Sequence, residues 1–135
     1  MVEFEGKIFD HTVSILVDPR AMLSYVSLKR VEQCKLQTVK FKNPWLVQLA
    51  TGEKRCVLAK VNNCPLKIAG QLVMADLNVL PLGSYDVLIG MDWLEKRWSI
   101  INCKRKTIYY KDELKEKQEM QGIMRPVQIW PITTS

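Results

Sequence analysis

The sequence predicts an all-β domain, closed or nearly closed into a small barrel, with one or two short helices. Three observations carry this prediction. Short runs rich in Val, Ile, Leu and Thr recur along the first 110 residues. Pro, Gly and Asn clusters separate them at hairpin-like spacing. Helical signals are confined to two short stretches, Leu28–Cys34 and Asp92–Lys96. With 135 residues, 47% of them hydrophobic and 25% charged, the chain is sized for one domain and is too apolar for disorder.

Ile8 to Val17 reads as the first strand, with Thr12, Val13, Ile15, Leu16 and Val17. It stops at Asp18-Pro19, because proline cannot continue a central strand. Ala21 to Val26 is a second apolar run. Ser27 is placed to cap a short helix over Leu28–Cys34, in which Leu28, Val31 and Cys34 recur every third residue.

Phe41-Lys42-Asn43-Pro44 reads as a turn. Trp45 to Leu49 and Arg55 to Val61 follow as two strands joined by Ala50-Thr51-Gly52-Glu53-Lys54, a glycine-bearing hairpin connection. Asn62 to Pro65 reads as a break. Leu66 to Ile68 and Leu72 to Leu80 flank Ala69-Gly70-Gln71 as a further hairpin, and Val73, Ala75, Leu77 and Val79 alternate with Met74, Asp76 and Asn78. After the loop Pro81–Ser84, Tyr85 to Ile89 is an apolar strand ending at Gly90. Asp92 to Lys96 reads as a helix start, acid first and base later. Ser99–Asn102 and Thr107–Tyr110 form a last hairpin. Residues 1–110 therefore make the expected domain. Residues 111–135, charged and then proline-containing, read as a linker or tail outside the core.

Several function classes drop out. No uncharged run reaches the ~18 residues of a membrane span. The acidic start MVEFEGKIFD has no apolar leader segment. Cys34, Cys56, Cys64 and Cys103 lack CxxC spacing and His11 is the only histidine, so the sequence predicts no metal or cofactor, and reduced thiols in a cytoplasmic setting. The net charge of +6 permits contact with nucleic acid without arguing for it. Lys104, Arg105, Lys106 and Lys111 fit protection of an edge strand better than an RNA contact, so nucleic acid is not an expected partner of this domain. No phosphate loop, nucleophile elbow or zinc-protease motif is present. Asp86 and Asp92 are expected to orient loops or cap the helix, and Trp45, Trp93 and Trp98 to anchor core or interface.

Three features remain, in a fixed order: Ile15-Leu16-Val17-Asp18-Pro19-Arg20-Ala21, the glycine hairpin at 50–54, and Val87-Leu88-Ile89-Gly90. This order resembles the aspartic proteases of long-terminal-repeat retroelements, the gypsy-type retrotransposons above all. Gly83-Ser84-Tyr85-Asp86-Val87-Leu88-Ile89-Gly90-Met91-Asp92-Trp93-Leu94 is the most specific part. The resemblance spans roughly residues 4–110. It implies a retropepsin-type barrel and a catalytic Asp18 in the turn Asp18-Pro19-Arg20-Ala21. It also implies a substrate-binding flap around Ala50, Thr51, Gly52 and Glu53, with Ile89 and Gly90 packed beneath the turn. The tail, with Gly122 and Arg125-Pro126, is similar to the connector leading to the next domain of such polyproteins.

One carboxylate per chain implies that a second copy supplies the other. The expected partners are that copy and an extended polyprotein segment, in the cytoplasm or within virus-like particles, with no membrane. The family turn reads Asp-Ser/Thr-Gly-Ala. Here Pro19 lacks the hydroxyl that braces the paired turns, and Arg20 brings a permanent charge where the family has glycine. An Arg20 guanidinium reaching Asp18 would depress its pKa, and a turn demanding positive φ at Arg20 would add ~1–3 kcal/mol of strain. The expected activity is an aspartic endopeptidase weakened by its turn. The alternative is a dead module of the same fold that dimerises or binds peptide.

Overall fold

The computed structural model describes residues 1–48 and 52–124. Its main sheet closes on itself. The strands are β1 (Val2–Ile8), β2 (His11–Val17), β3 (Tyr25–Ser27), β4 (Val39–Gln48), β5 (Lys54–Ile68), β6 (Gln71–Leu80) and β7 (Val87–Ile89). They lie in the order β1-β2-β7-β3-β6-β5-β4, and β1 also pairs with β5. Six strands thus form a closed barrel, and β4 extends from it on β5. Closure occurs where Gly6 pairs with Ile68. A Cβ at Gly6 would lie 2.5 Å from the Lys67 carbonyl, so only glycine lets the two strands meet.

The expected single strand from Ile8 to Val17 is instead a turn and the second arm of a hairpin. β1 pairs with β2 from Val2↔Val17 to Ile8↔His11, and Phe9 takes φ 52° in the turn. β1 alternates strictly: Val2, Phe4 and Ile8 are buried while Glu5 and Lys7 face solvent.

Two expected breaks are bulges inside long strands. β4 runs through Phe41–Pro44, and its register with β5 shifts between Lys40 and Trp45. Pro44 has no N–H to give the ladder, but β4 is an edge strand, where proline is tolerated. β5 runs through Asn62–Pro65, with a register shift between Val61 and Cys64 and Asn63 at φ 49°. β5 keeps pairing with β6 on both sides of the bulge, from Lys60↔Asn78 before it to Ile68↔Gln71 after it.

Ser27 caps α1 (Leu28–Gln33), accepting from the Arg30 N–H at 3.3 Å. α2 (Met91–Lys96) begins one residue earlier than its expected start. The last hairpin forms as expected from β8 (Ile100–Asn102) and β9 (Thr107–Lys111). The chain beyond Lys111 departs from the expected tail: β10 (Lys117–Gln121) pairs with β9 and buries Met120 in the main core. Gly122 N–H then donates to the Lys106 carbonyl at 2.7 Å and Ile123 N–H to the Glu3 carbonyl at 2.8 Å. Residues 125–135 lie outside the described residues.

Trp93 is buried and its ring lies 5.4 Å from Tyr110, joining α2 to the small sheet, whereas Trp98 is exposed. All four thiols are free, Cys34 and Cys64 within the core and Cys56 and Cys103 at the surface. Burial, reinforced by the nearby Cys34, pushes the Cys64 thiol up to about 12, and burial likewise raises Cys34. Because the thiolate is the reactive species, iodoacetamide at about pH 8 is expected to label Cys56 and Cys103 in the native protein and all four thiols in denaturant. Native labelling of Cys64 as fast as Cys56 would contradict this packing.

Candidate active site

β2 and β7 run parallel, with Val17 opposite Ile89. That register brings the residue after β2 beside the residue after β7, so Asp18 and Gly90 meet. The Asp18 N–H donates to the Ile89 carbonyl at 2.9 Å, and the Ala21 N–H donates to the Asp18 carbonyl at 3.1 Å. The second bond closes a four-residue turn in which Pro19 occupies the second position, where its fixed φ suits the geometry. Neither Pro19 nor Arg20 has positive φ. The backbone strain expected at Arg20 is therefore absent, because this turn does not use the left-handed region.

The departure from the family pattern acts through charge. The Arg20 N–H and Nε donate to Asp18 Oδ1 at 2.9 and 3.1 Å, and Nη2 approaches Oδ2 at 3.4 Å. Both carboxylate oxygens of Asp18 are engaged by one guanidinium. The Asp18 side chain is 14% exposed and that of Arg20 73%. Partial burial pushes the Asp18 carboxyl up, but hydrogen bonds from the Arg20 side chain and backbone, with its charge, outweigh it and hold the group below its usual value.

Beneath the turn lies a network that spacing alone did not reveal. Ser24 is fully buried. Its hydroxyl donates to Asp92 Oδ1 at 2.6 Å and accepts from the Gly90 N–H at 2.9 Å, and its N–H donates to Asp92 Oδ2 at 3.1 Å. The Met91 N–H donates to the Ala21 carbonyl at 2.8 Å and the Asp92 N–H to Met22 at 3.1 Å. The start of α2 thus holds the segment 21–24 along its whole length. The signal was the aspartate two residues after Gly90, whose partner 68 residues away only the fold supplies.

Asp86 braces the other side. Its Oδ2 accepts from the Ser14 N–H at 2.9 Å, and Arg30 Nε lies 3.0 Å from Oδ1. Burial pushes this carboxyl up, but Arg30 and Ser14 outweigh it and the pKa is lowered. A carboxylate with a lowered folded pKa contributes stability that is present above its ordinary value and lost as pH falls through the folded one. Asp86→Ala is expected to cost about 2–3 kcal/mol near neutral pH, measured by urea denaturation, and to reduce the loss of stability on acidification below about pH 4. An unchanged denaturation midpoint at neutral pH would show that this carboxylate braces nothing.

A cleft of about 720 Å³ opens above Asp18, between the turn and β4. Its walls are Ala21, Met22, Leu23, Tyr25, Val47 and Leu88, with Gln48 and Arg20 as further polar groups. The arm bordering it ends at the Gln48↔Lys54 pair. Beyond it Gly52 takes φ 89°, and Glu53 pairs with Arg55 at 2.7 Å. Ala50 and Thr51 lie outside the described residues. Among the described residues, Asp18 is the sole acid lining the cleft, and no cluster of three or more His, Cys, Asp or Glu side chains could hold a metal.

A family profile described as retroviral aspartyl protease matches residues 4–116. The chain belongs to that family. Among solved structures it is similar to the retroviral protease-like domain of Ddi1 from Leishmania major, with a TM-score of 0.68 and 18% identity over 92% of this chain and 94% of that one. At that identity the likeness is one of fold. No curated protein matches the chain. As a retropepsin-like domain it carries the family's barrel and a single aspartate at the end of β2, with Arg20 bound across it. No described helix is long and apolar enough to cross a membrane.

Proposed function

We propose that this domain is an aspartic endopeptidase that acts as a homodimer on extended segments of a retrotransposon polyprotein, with turnover held low by Arg20. The observation that carries this reading is the place of Asp18: a single carboxylate on a hydrogen-bonded turn, lining a cleft of about 720 Å³ with apolar walls. Two copies related by a two-fold axis bring two such carboxylates face to face. At ~3 Å like charges cannot both ionise, so the pair shares one proton. The ionised member takes a proton from a water held between them while the protonated member polarises the scissile carbonyl. The β4–β5 arm closes over the peptide and pairs with its backbone.

The guanidinium across Asp18 favours a second reading, a module that dimerises and holds peptide without cutting it. One set of measurements separates the two. Peptides from retrotransposon polyproteins are incubated with the chain at about pH 5, where a carboxyl dyad is active. Slow cleavage that pepstatin blocks and Asp18→Asn abolishes, by a species that sediments as a dimer, is the expected result. Cleavage that survives Asp18→Asn, or a chain that stays monomeric at every concentration, would overturn the peptidase reading. A dimer that binds peptide and never cuts supports the module.

A further inference from the structure

The cleft pairs an apolar wall with one cation. Among the described residues lining it, Arg20 alone carries positive charge, while Met22, Leu23, Tyr25, Val47 and Leu88 supply apolar surface. The Arg20 side chain is 73% exposed. It holds Asp18 through Nε and Nη2, and Nη2 also reaches the Met1 sulfur at 3.0 Å. Nη1 has no partner among the described residues. A guanidinium presents five donors in a fixed fork and can serve two carboxylates or pass from one to another.

Stripping Arg20 from Asp18 with nothing in return leaves a half-buried carboxylate without its cation. Handing the guanidinium to a carboxylate on the ligand keeps the number of ion pairs unchanged, so the new pair offsets the loss of the one on Asp18. The exchange also leaves Asp18 free to share a proton with its counterpart. An extended peptide bearing Asp or Glu where it crosses the floor can drive this exchange, and the same peptide bearing Gln cannot. Resting on the peptide-binding reading of the cleft, we propose that Arg20 makes it a reader of acidic extended peptides, in which a ligand Asp or Glu takes the guanidinium that otherwise sits on Asp18. The residues flanking that acid are apolar, to match the wall.

The test uses two fluorescent, C-terminally amidated apolar octapeptides that differ only in a central Glu or Gln. The amide removes the terminal carboxylate, so a preference reports the side chain. Fluorescence anisotropy gives Kd for the wild-type chain and for Arg20→Gln, a substitution at a largely exposed side chain. The Glu peptide is expected to bind wild type about fivefold more tightly than the Gln peptide, with the gap closing as salt rises. In Arg20→Gln the two peptides should bind equally. Equal affinities in wild type, or a preference that survives in Arg20→Gln, would overturn the proposal while leaving the peptide-binding reading intact. Failure of both proteins to bind either peptide would overturn both.

Discussion

Replacing Arg20 with glycine and Pro19 with serine is expected to raise kcat/KM for a cleaved peptide by about 100-fold or more. The estimate comes from what the wild-type turn withholds. Positioned proton transfer contributes ~10²–10⁴ in rate, and it requires a carboxyl pair that keeps one proton. In the folded chain Arg20 engages both oxygens of Asp18 and holds the group below its usual pKa. Two such carboxylates are both charged at a pH where the dyad should be singly protonated. Glycine removes the cation and serine restores the hydroxyl that the family's turn carries. The pH–rate profile should also move. Wild-type activity is lost as pH rises through the lowered pKa, so its limb lies further to the acid side than that of the repaired chain. Stability should change by only about 1 kcal/mol, since the guanidinium that is lost is largely exposed and no strained φ is relieved. Asp18→Asn in the repaired background is the control and should return the rate to baseline. A repaired chain that dimerises and binds peptide yet cuts no faster than wild type would show that Arg20 is not what limits turnover.

The parts of the fold legible in the sequence are those fixed by neighbours in the chain. The Ser27 cap, the hairpin 99–110 and the apolar strand before Gly90 each rest on residues a few positions apart. Val2-Glu3-Phe4-Glu5-Gly6-Lys7-Ile8 carries an equally local signal, the strict alternation of β1, although the expected first strand starts only at Ile8. Pro44 and Asn62–Pro65 misled for a physical reason. Turn-forming residues mark where a chain leaves ideal strand geometry, but whether it rejoins the same ladder two residues later depends on the partner strand. β10 was hidden because Met120 is its one residue buried in the core, and a single apolar residue in a charged stretch has no period. At the site, the run Ile15-Leu16-Val17 announced Asp18. The spacing could not say that Arg20 folds back onto it, or that Ser24 finds Asp92, because both are distances in space.

Gly90→Ala is expected to cost about 3 kcal/mol, the upper part of the usual range for overpacking. Its φ of −109° is open to any residue, so the cost is one of room. A Cβ at position 90 would lie 2.7 Å from the Ala21 carbonyl oxygen and 2.8 Å from the Leu23 carbonyl carbon, with the Leu23 oxygen closer still. These are backbone atoms, and they cannot yield singly. The Ala21 and Met22 carbonyls are bonded to Met91 and Asp92, and Ser24 is gripped by Asp92. Making space for one methyl means lifting the segment 21–24 from the start of α2, and Asp18 is anchored at its head through Ala21. Urea denaturation at fixed protein concentration measures the cost, since dimerisation would make apparent stability depend on concentration. Gly83→Ala serves as control. A Cβ there meets nothing within 4 Å, so its midpoint should stay within ~0.5 kcal/mol of wild type. If Gly90→Ala proves as mild as Gly83→Ala, the close approach of β7 to the Asp18 turn is not what fixes the carboxylate. In the repaired background Gly90→Ala should lower kcat far more than KM, because it displaces the carboxylate while leaving the apolar cleft wall in place.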